Sequence, residues 1–254
     1  MHEFAAGERR WVERLGNLRN TVRQELIGRQ LEQHVRDGVS VVDVGCGQGT
    51  QAIRLARRGC RVVGVDPSAA LLEQLASDAR AAGVDIDRQH GSIHELETLL
   101  GGAVFEVVCA HGVLMYLDDP QVALDQLIDR VAPGGLLSVT FRNAGALAFR
   151  PGMRGQWQAA VAAFEATTYT NELGVHARAD HLDDVTSHLS SWGLDVEARY
   201  GVRVFTDPLP GDEDTITGAD LQWLLRAEEQ AGSRDPYRQL GSQIHVLARR
   251  SANP

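Results

Sequence analysis

Lysine is missing from the chain altogether: all 25 basic residues are arginines. That excludes chemistry built on a lysine amine, whether a Schiff base or the phosphate-binding lysine of a P-loop. Cysteine is scarce, and the three present, Cys46, Cys60 and Cys109, form no CxxC pair and fit a reducing compartment. No apolar run is long enough to span a bilayer, and the polar first ten residues hold no signal-like apolar region, so a cytoplasmic protein is expected. Positive charge is also in deficit. The formal net charge of −9 argues against broad attraction to nucleic acid. What is present is ordinary: 254 residues, 43% hydrophobic and 23% charged, enough for one sizeable core.

The hydrophobic pattern alternates strand-like and helix-like stretches. Residues 8–35 read as helical, with Val22, Leu26, Leu31 and Val35 at near-helical spacing. Strands are predicted at 40–44, 61–65, 84–89, 104–110 and 136–141, each followed by a helical stretch except the last. Pro133-Gly134-Gly135 reads as a turn before the fifth strand. Such alternation predicts an α/β fold: a doubly wound parallel sheet with right-handed crossovers and helices on both faces. The pattern breaks over residues 143–180, read as an insertion over the site and helical around 157–164. Helices at 181–192 and 217–230 and strands at 194–205 and 244–249 complete the chain. The organisation expected is a single domain: an N-terminal helical lid (1–36), a cofactor-binding core (37–142), the insertion (143–180) and the C-terminal part of the sheet (181–254).

The first strand runs into glycines, SVVDVGCGQGT at 40–50. Glycines between a strand and a helix let a cofactor lie against bare backbone. In open α/β sheets ligands bind beyond the carboxyl ends of the strands. Asp66, ending the second strand, follows Asp43 at about the spacing of a ribose-binding acid, whose carboxylate can accept both hydroxyls of a diol. A nicotinamide or flavin dinucleotide is the rival reading, and two features oppose it. Thr50 stands where the third glycine of GxGxxG belongs, and Asp43 puts an acid inside the strand, which suits a ligand carrying positive charge. S-adenosyl-L-methionine carries an ammonium and a sulfonium and has no pyrophosphate. Cys46, within the loop, reads as a packing residue rather than a reactive thiol. His90 and His94 are four apart, but no third ligand follows at a familiar spacing, and no metal site is expected.

These elements resemble the class I S-adenosylmethionine-dependent methyltransferases. The likeness lies in DVGCGQG (43–49), VVGVDPS (62–68), HGSIHE (90–95), VCAHGVLMYL (108–117) and PGGLLSVTF (133–141). It implies a Rossmann-like, seven-stranded, mostly parallel sheet with the last strand antiparallel. It also implies a backbone cradle for the donor at Gly45, Cys46, Gly47 and Gly49. Asp66 would hold the ribose, Pro67, Ser92 and Ile93 would contact the adenine, and His111 would lie beside the sulfonium.

A closer similarity extends beyond the core. VRQEL (22–26), HGVLMYLDDP (111–120), TFRNAGAL (140–147), GVRVFTD (201–207) and DPYRQLGSQIHVLARR (235–250) resemble the methyltransferases acting on 5-carboxymethoxyuridine of transfer RNA. By that likeness Arg23 would reach the donor's carboxylate, with Asn143 and Arg203 on the acceptor side; an exposed strand arginine is the plainer reading of Arg203. Residues 164–184 depart from the family's lysine-rich run and carry an excess of acid, which disfavours RNA phosphate. A small carboxylate or hydroxyl acceptor is therefore the alternative to transfer RNA. A carboxylate needs no general base, whereas a hydroxyl would need one, and His111 is the candidate. A nicotinamide-dependent oxidoreductase and a non-catalytic cofactor-binding module are the remaining alternatives.

Overall fold

Apolar residues at alternate positions of successive strands build one central sheet with a core on each face. The computed structural model describes residues 16–171, 174–209 and 216–252. In chain order these form α1 (Leu18–Glu32), β1 (Ser40–Val44), α2 (Thr50–Ala56), β2 (Arg61–Asp66), α3 (Ala69–Ala82) and β3 (Asp87–His90). Then come α4 (Leu96–Leu100), β4 (Phe105–His111), α5 (Pro120–Ile128), β5 (Val131–Arg142), α6 (Phe149–Met153) and α7 (Trp157–Ala163). A hairpin of β6 (Thr168–Thr170) and β7 (His176–Arg178) precedes α8 (Leu182–Ser191), β8 (Leu194–Val202), α9 (Gly218–Ser233) and β9 (Gln243–Arg250).

The main sheet has seven strands in the order β3-β2-β1-β4-β5-β9-β8. β1 to β5 pair in parallel, and β9 runs antiparallel to both its neighbours. The period of two decides which core each side chain enters. Val42, Val44, Val108, Ala110, Leu137, Val139 and Phe141 pack on one face, while Val41, Val107, Cys109 and Leu136 pack on the other. Both faces are covered, which explains why the central strands read as nearly unbroken apolar runs.

Three local expectations change. Pro133-Gly134-Gly135 lies inside β5 rather than in a turn before it, and the register with β4 shifts there, between Phe105 and Val107. A Cβ on Gly135 would stand 2.8 Å from the Ala132 carbonyl, so only bare backbone fits. β8 stops at Val202 instead of running to 205, because Arg203 takes φ 58° and turns the chain. The insertion contains the β6–β7 hairpin as well as the helix expected near 157–164. Of the predicted N-terminal helix, α1 occupies 18–32, and residues 8–15 lie outside the described residues.

α1 begins at Asn17, whose Oδ1 accepts the Asn20 N–H at 2.8 Å, and it buries Val22, Leu26 and Ile27 against Val202 and Leu225. α9 contributes a fully buried carboxylate, Glu228. It accepts N–H bonds from Val204 (2.7 Å), Phe205 (3.1 Å) and Thr206 (2.7 Å), and the Thr206 hydroxyl at 2.7 Å. The loop after β8 is thus held by one side chain. Glu228→Ala, which leaves three backbone N–H groups unmatched, two of them buried, is expected to cost about 2–4 kcal/mol in urea unfolding, and Glu228→Gln, which keeps one acceptor oxygen, less.

Candidate active site

The carboxyl ends of β1, β2 and β4 open onto one cleft, reached by residues on α1 and on the segment after β4. Gly45, Gly47 and Gly49 have φ of 70°, 55° and 83°, a region that glycine alone enters cheaply. A Cβ at Gly45 would lie 2.3 Å from Val113 Cγ2, and one at Gly49 would lie 2.0 Å from Leu75 Cδ1. Side chains are excluded from this cradle. The loop is pinned to β2: Gly45 N–H and Cys46 N–H donate to Val65 O at 2.7 and 3.2 Å, and Gly47 N–H donates to Asp66 Oδ2 at 2.8 Å. Ser68 N–H donates to the other Asp66 oxygen at 2.9 Å.

Asp43 is buried in β1 within the same region, and burial, reinforced by the charge of Asp66, pushes its pKa up to about 7. Burial also raises the Cys46 thiol far above its ordinary range, which leaves it inert. Pro67, Ser92 and Ile93 line the cleft. The Ser92 hydroxyl and N–H both donate to Glu95 Oε2 at 2.8 Å, so its side chain serves a capping box. His90 Nε2 donates to Pro67 O at 3.0 Å, and no group of three potential metal ligands exists among the described residues.

His111 ends β4 at the cleft and heads a buried hydrogen-bonded chain. His245 Nδ1 meets Gln30 Oε1 at 2.8 Å, His245 Nε2 meets Ser138 Oγ at 2.8 Å, and Ser138 Oγ meets His111 Nε2 at 2.9 Å. An amide oxygen can only accept, so the protons point one way along the chain: His245 donates to Gln30, Ser138 to His245, and His111 to Ser138. His111 Nδ1 is left as the lone-pair nitrogen, and it has no partner among the described residues. Burial and then the nearby Arg23 lower the His111 pKa to about 3. Arg23, on α1, lies against Gly112, where a Cβ would stand 2.9 Å from its Nη1, and it donates to Asn20 Oδ1 at 2.8 Å. Burial and the neighbouring charge of Arg203 lower its own pKa to about 10.

The family profile of the methyltransferase domain matches residues 41–135. The tRNA 5-carboxymethoxyuridine methyltransferase of Escherichia coli O157:H7 is 30% identical over 240 residues, covering 92% of this chain and 89% of that protein. The chain belongs to the class I S-adenosylmethionine-dependent methyltransferases. The ubiquinone biosynthesis O-methyltransferase of Azorhizobium caulinodans is 34% identical over 190 residues, covering 74% of this chain and 70% of its own. The fold is shared with the magnesium protoporphyrin IX methyltransferase of Synechocystis, solved with S-adenosylhomocysteine, at a TM-score of 0.64 and 16% identity, over 97% of this chain and 95% of that one. The methyltransferase therefore takes S-adenosyl-L-methionine, which supplies a methyl carbon activated by its sulfonium. The site suits that cofactor: the cradle admits only backbone, and a buried carboxyl group beneath it is poised to ionise beside a cation.

On the far side of the cleft the structure departs from the sequence reading. Asn143 is not free to meet an acceptor. Its Nδ2 donates to Gln239 O and Gly241 O at 2.9 Å, and its Oδ1 accepts Gly145 N–H at 3.0 Å, so it ties the segment after β5 to the one before β9. Arg203 is no exposed strand arginine, because its side chain is 14% exposed and lies 3.1 Å from Asp207. Sequence reasoning missed Arg142, next to Asn143, as well as Tyr116, Tyr169, Asp207 and the Ser138–His245 pair. Arg142 carried one usable signal, an arginine at the carboxyl end of a parallel strand.

A raised carboxylate pKa beside a cation-binding cleft has a measurable consequence. At pH 7 Asp43 is partly protonated; a bound cation lowers its pKa and expels the proton. Calorimetry of S-adenosylmethionine binding at pH 7, in buffers of different ionisation enthalpy, is expected to report release of up to about half a proton. Asp43→Asn is expected to abolish that release.

Proposed function

We propose that this methyltransferase transfers its methyl group to an oxygen that is already ionised, a carboxylate in the first instance. The observation that carries this reading is the state of His111. It is the imidazole at the cleft, and a group whose conjugate acid has a pKa of about 3 is too weak a base to activate a hydroxyl. Tyr116, also at the cleft, is no substitute: burial, with Tyr169 nearby, raises its pKa to about 12, and it offers a hydrogen bond rather than a base. A carboxylate brings its own negative charge and loses no proton. The bond from carboxylate oxygen to methyl carbon forms as the methyl–sulfur bond breaks, the electron pair stays on sulfur, and both charges vanish.

The chain's own residues then have simple tasks. The backbone of 45–49 and Asp66 would hold the nucleoside end of the donor, with Pro67 and Ile93 against the adenine. Arg23 would hold the donor's carboxylate, and His111 Nδ1 would offer its lone pair to a donor N–H. Alignment and exclusion of water supply the rate. Two of the relatives support an oxygen acceptor, one being named for 5-carboxymethoxyuridine, which bears a carboxylate, and the other as an O-methyltransferase.

One relative is named for transfer RNA and the other for ubiquinone biosynthesis, so their names divide between an RNA and a small-molecule setting. The acid-rich segment 164–184 favours a small acceptor here, because it offers little to neutralise phosphate. The scarce, unpaired cysteines fit a reducing, cytoplasmic setting for this chain. Incubation with labelled donor, bulk transfer RNA and an extract of small metabolites is the direct test, with label expected in an ester of a small acid. At saturating donor and acceptor, kcat is expected to stay level from about pH 6 to 9, and His111→Asn to lower it less than about tenfold. A kcat that climbs with pH, or a loss of about 100-fold or more in that variant, would contradict the reading.

A further inference from the structure

Beside the donor cleft, under the β6–β7 hairpin, three guanidiniums converge on one buried carboxylate. Arg150 forms a two-pronged pair with Asp207, Nε to Oδ2 at 2.7 Å and Nη2 to Oδ1 at 2.5 Å. Arg203 Nη2 approaches the same Oδ1 at 3.1 Å, while its Nε donates to Ser242 Oγ at 3.1 Å. Arg142 is left with the remainder. Its Nη1 lies 3.7 Å from Oδ1, its guanidinium sits 5.0 Å over the Tyr169 ring, and its Nε has no hydrogen-bond partner among the described residues. The side chains of Arg142 and Asp207 are only 6% and 3% exposed.

A buried cation whose charge is shared out in this way is costly, because desolvation is repaid only by good ionic geometry. The pairing with Arg150 already occupies both oxygens of Asp207, so Arg142 and Arg203 approach it only from the side. Arg203 also holds φ 58°, a conformation that an arginine adopts only under constraint and that aims its fork into the cluster. The cluster adjoins the segment after β4, part of which lines the donor cleft. Asn171 Nδ2 donates to Tyr116 Oη at 3.2 Å, Tyr169 Oη lies 3.8 Å from Met115 Sδ, and Arg203 is near enough to Arg23 to depress it electrostatically.

We propose that Arg142 and Arg203, steadied by Asp207 and Tyr169, form the binding site for the acceptor's carboxylate. Planar forks suit a carboxylate, one of whose oxygens can be held while the other faces the methyl group. The assignment rests on the carboxylate acceptor inferred above and adds to it the residues that select for it. Asp207 keeps the arginines apart and in register without neutralising them all.

The test uses the full chain saturated with S-adenosylhomocysteine, with phenoxyacetate, its neutral amide phenoxyacetamide, and phenyl phosphate as probes in calorimetry. Wild-type protein is expected to prefer phenoxyacetate to both other probes. Arg142→Leu and the milder Arg142→Gln are expected to weaken phenoxyacetate about 10- to 100-fold and to leave the amide unchanged. S-adenosylhomocysteine binding within about twofold of wild type marks each variant as folded. A wild type without preference for the acid, a preference for phenyl phosphate, or an Arg142 variant that keeps the preference would each overturn the assignment. These readouts are separate from the pH profile and the fate of the label, so the acceptor reading and the arginine site can fail independently.

Discussion

The hydrogen bond from Gly47 N–H to Asp66 Oδ2 ties the glycine loop of β1 to the tip of β2, and the donor side of the cleft depends on it. It works because the neighbouring contacts leave no slack. Val65 O receives two further loop N–H groups, and Gly64, without a side chain, lets Cys46 Sγ settle where a Cβ would stand only 2.9 Å away. The parallel register of β1 on β2, which sets Asp43 beside Gly64, also puts Asp66 close enough to act on Asp43. Asp43 takes the electrostatic consequence, a carboxyl group held partly neutral until a cation arrives. The cradle's shape and the field beneath it share one residue, since Asp66 both accepts the loop N–H and adds to the burial that raises Asp43.

Across the cleft the sign reverses. Glu228 accepts the backbone N–H groups of residues 204–206 and fixes the loop that delivers Asp207. Although burial alone would raise the Asp207 pKa, Arg203, Arg150 and Arg142 hold it well below the usual carboxylate range. Asp207 stays ionised at any working pH and acts as a permanent counter-ion. The transfer region would, on the proposed assignment, lie between a pair of acids on one side and a group of arginines on the other. On the proposed assignment a cationic donor and an anionic acceptor each find the opposite charge and lose their own charge in the reaction. Product release would follow the same logic, because an ester and a thioether no longer suit either wall.

Much of this was legible in the sequence, and the division between what was and was not has a physical cause. Glycines at 45, 47 and 49, the apolar runs of the central strands and the acid at Asp66 are local signals, set by φ, by two-sided burial and by spacing along one strand–helix–strand unit. Charge clusters are not local. Asp207 draws arginines from the end of β5, from α6 and from the turn after β8, and nothing but the folded topology brings 142, 150 and 203 together. Asn143 shows how fine the margin is. It is adjacent to Arg142, but successive side chains leave a strand on opposite sides, so one residue ties loops and the other enters the cluster. The β6–β7 hairpin was invisible for a different reason: three-residue strands such as TYT and HAR carry no alternation to read.

The two walls also act on each other through Arg23. Arg203 repels Arg23, and Arg23 in turn depresses His111, so three groups from α1, β4 and the turn after β8 share one positive field. An anion placed against any of them relieves the rest. A donor carboxylate at Arg23 lowers the cost of keeping Arg203 charged and buried, and an acceptor carboxylate at Arg203 and Arg142 does the same for Arg23. Thermodynamic linkage makes any coupling reciprocal, and its favourable part is the attraction between the donor's sulfonium and the acceptor's carboxylate: whatever one ligand does to the other's affinity is returned by the same factor. No movement of the fold is needed for this coupling, only the low dielectric that burial provides. A site assembled this way is most strained when empty and best satisfied when both carboxylates are present, so the electrostatics of the resting protein favour filling the cleft with a matched pair.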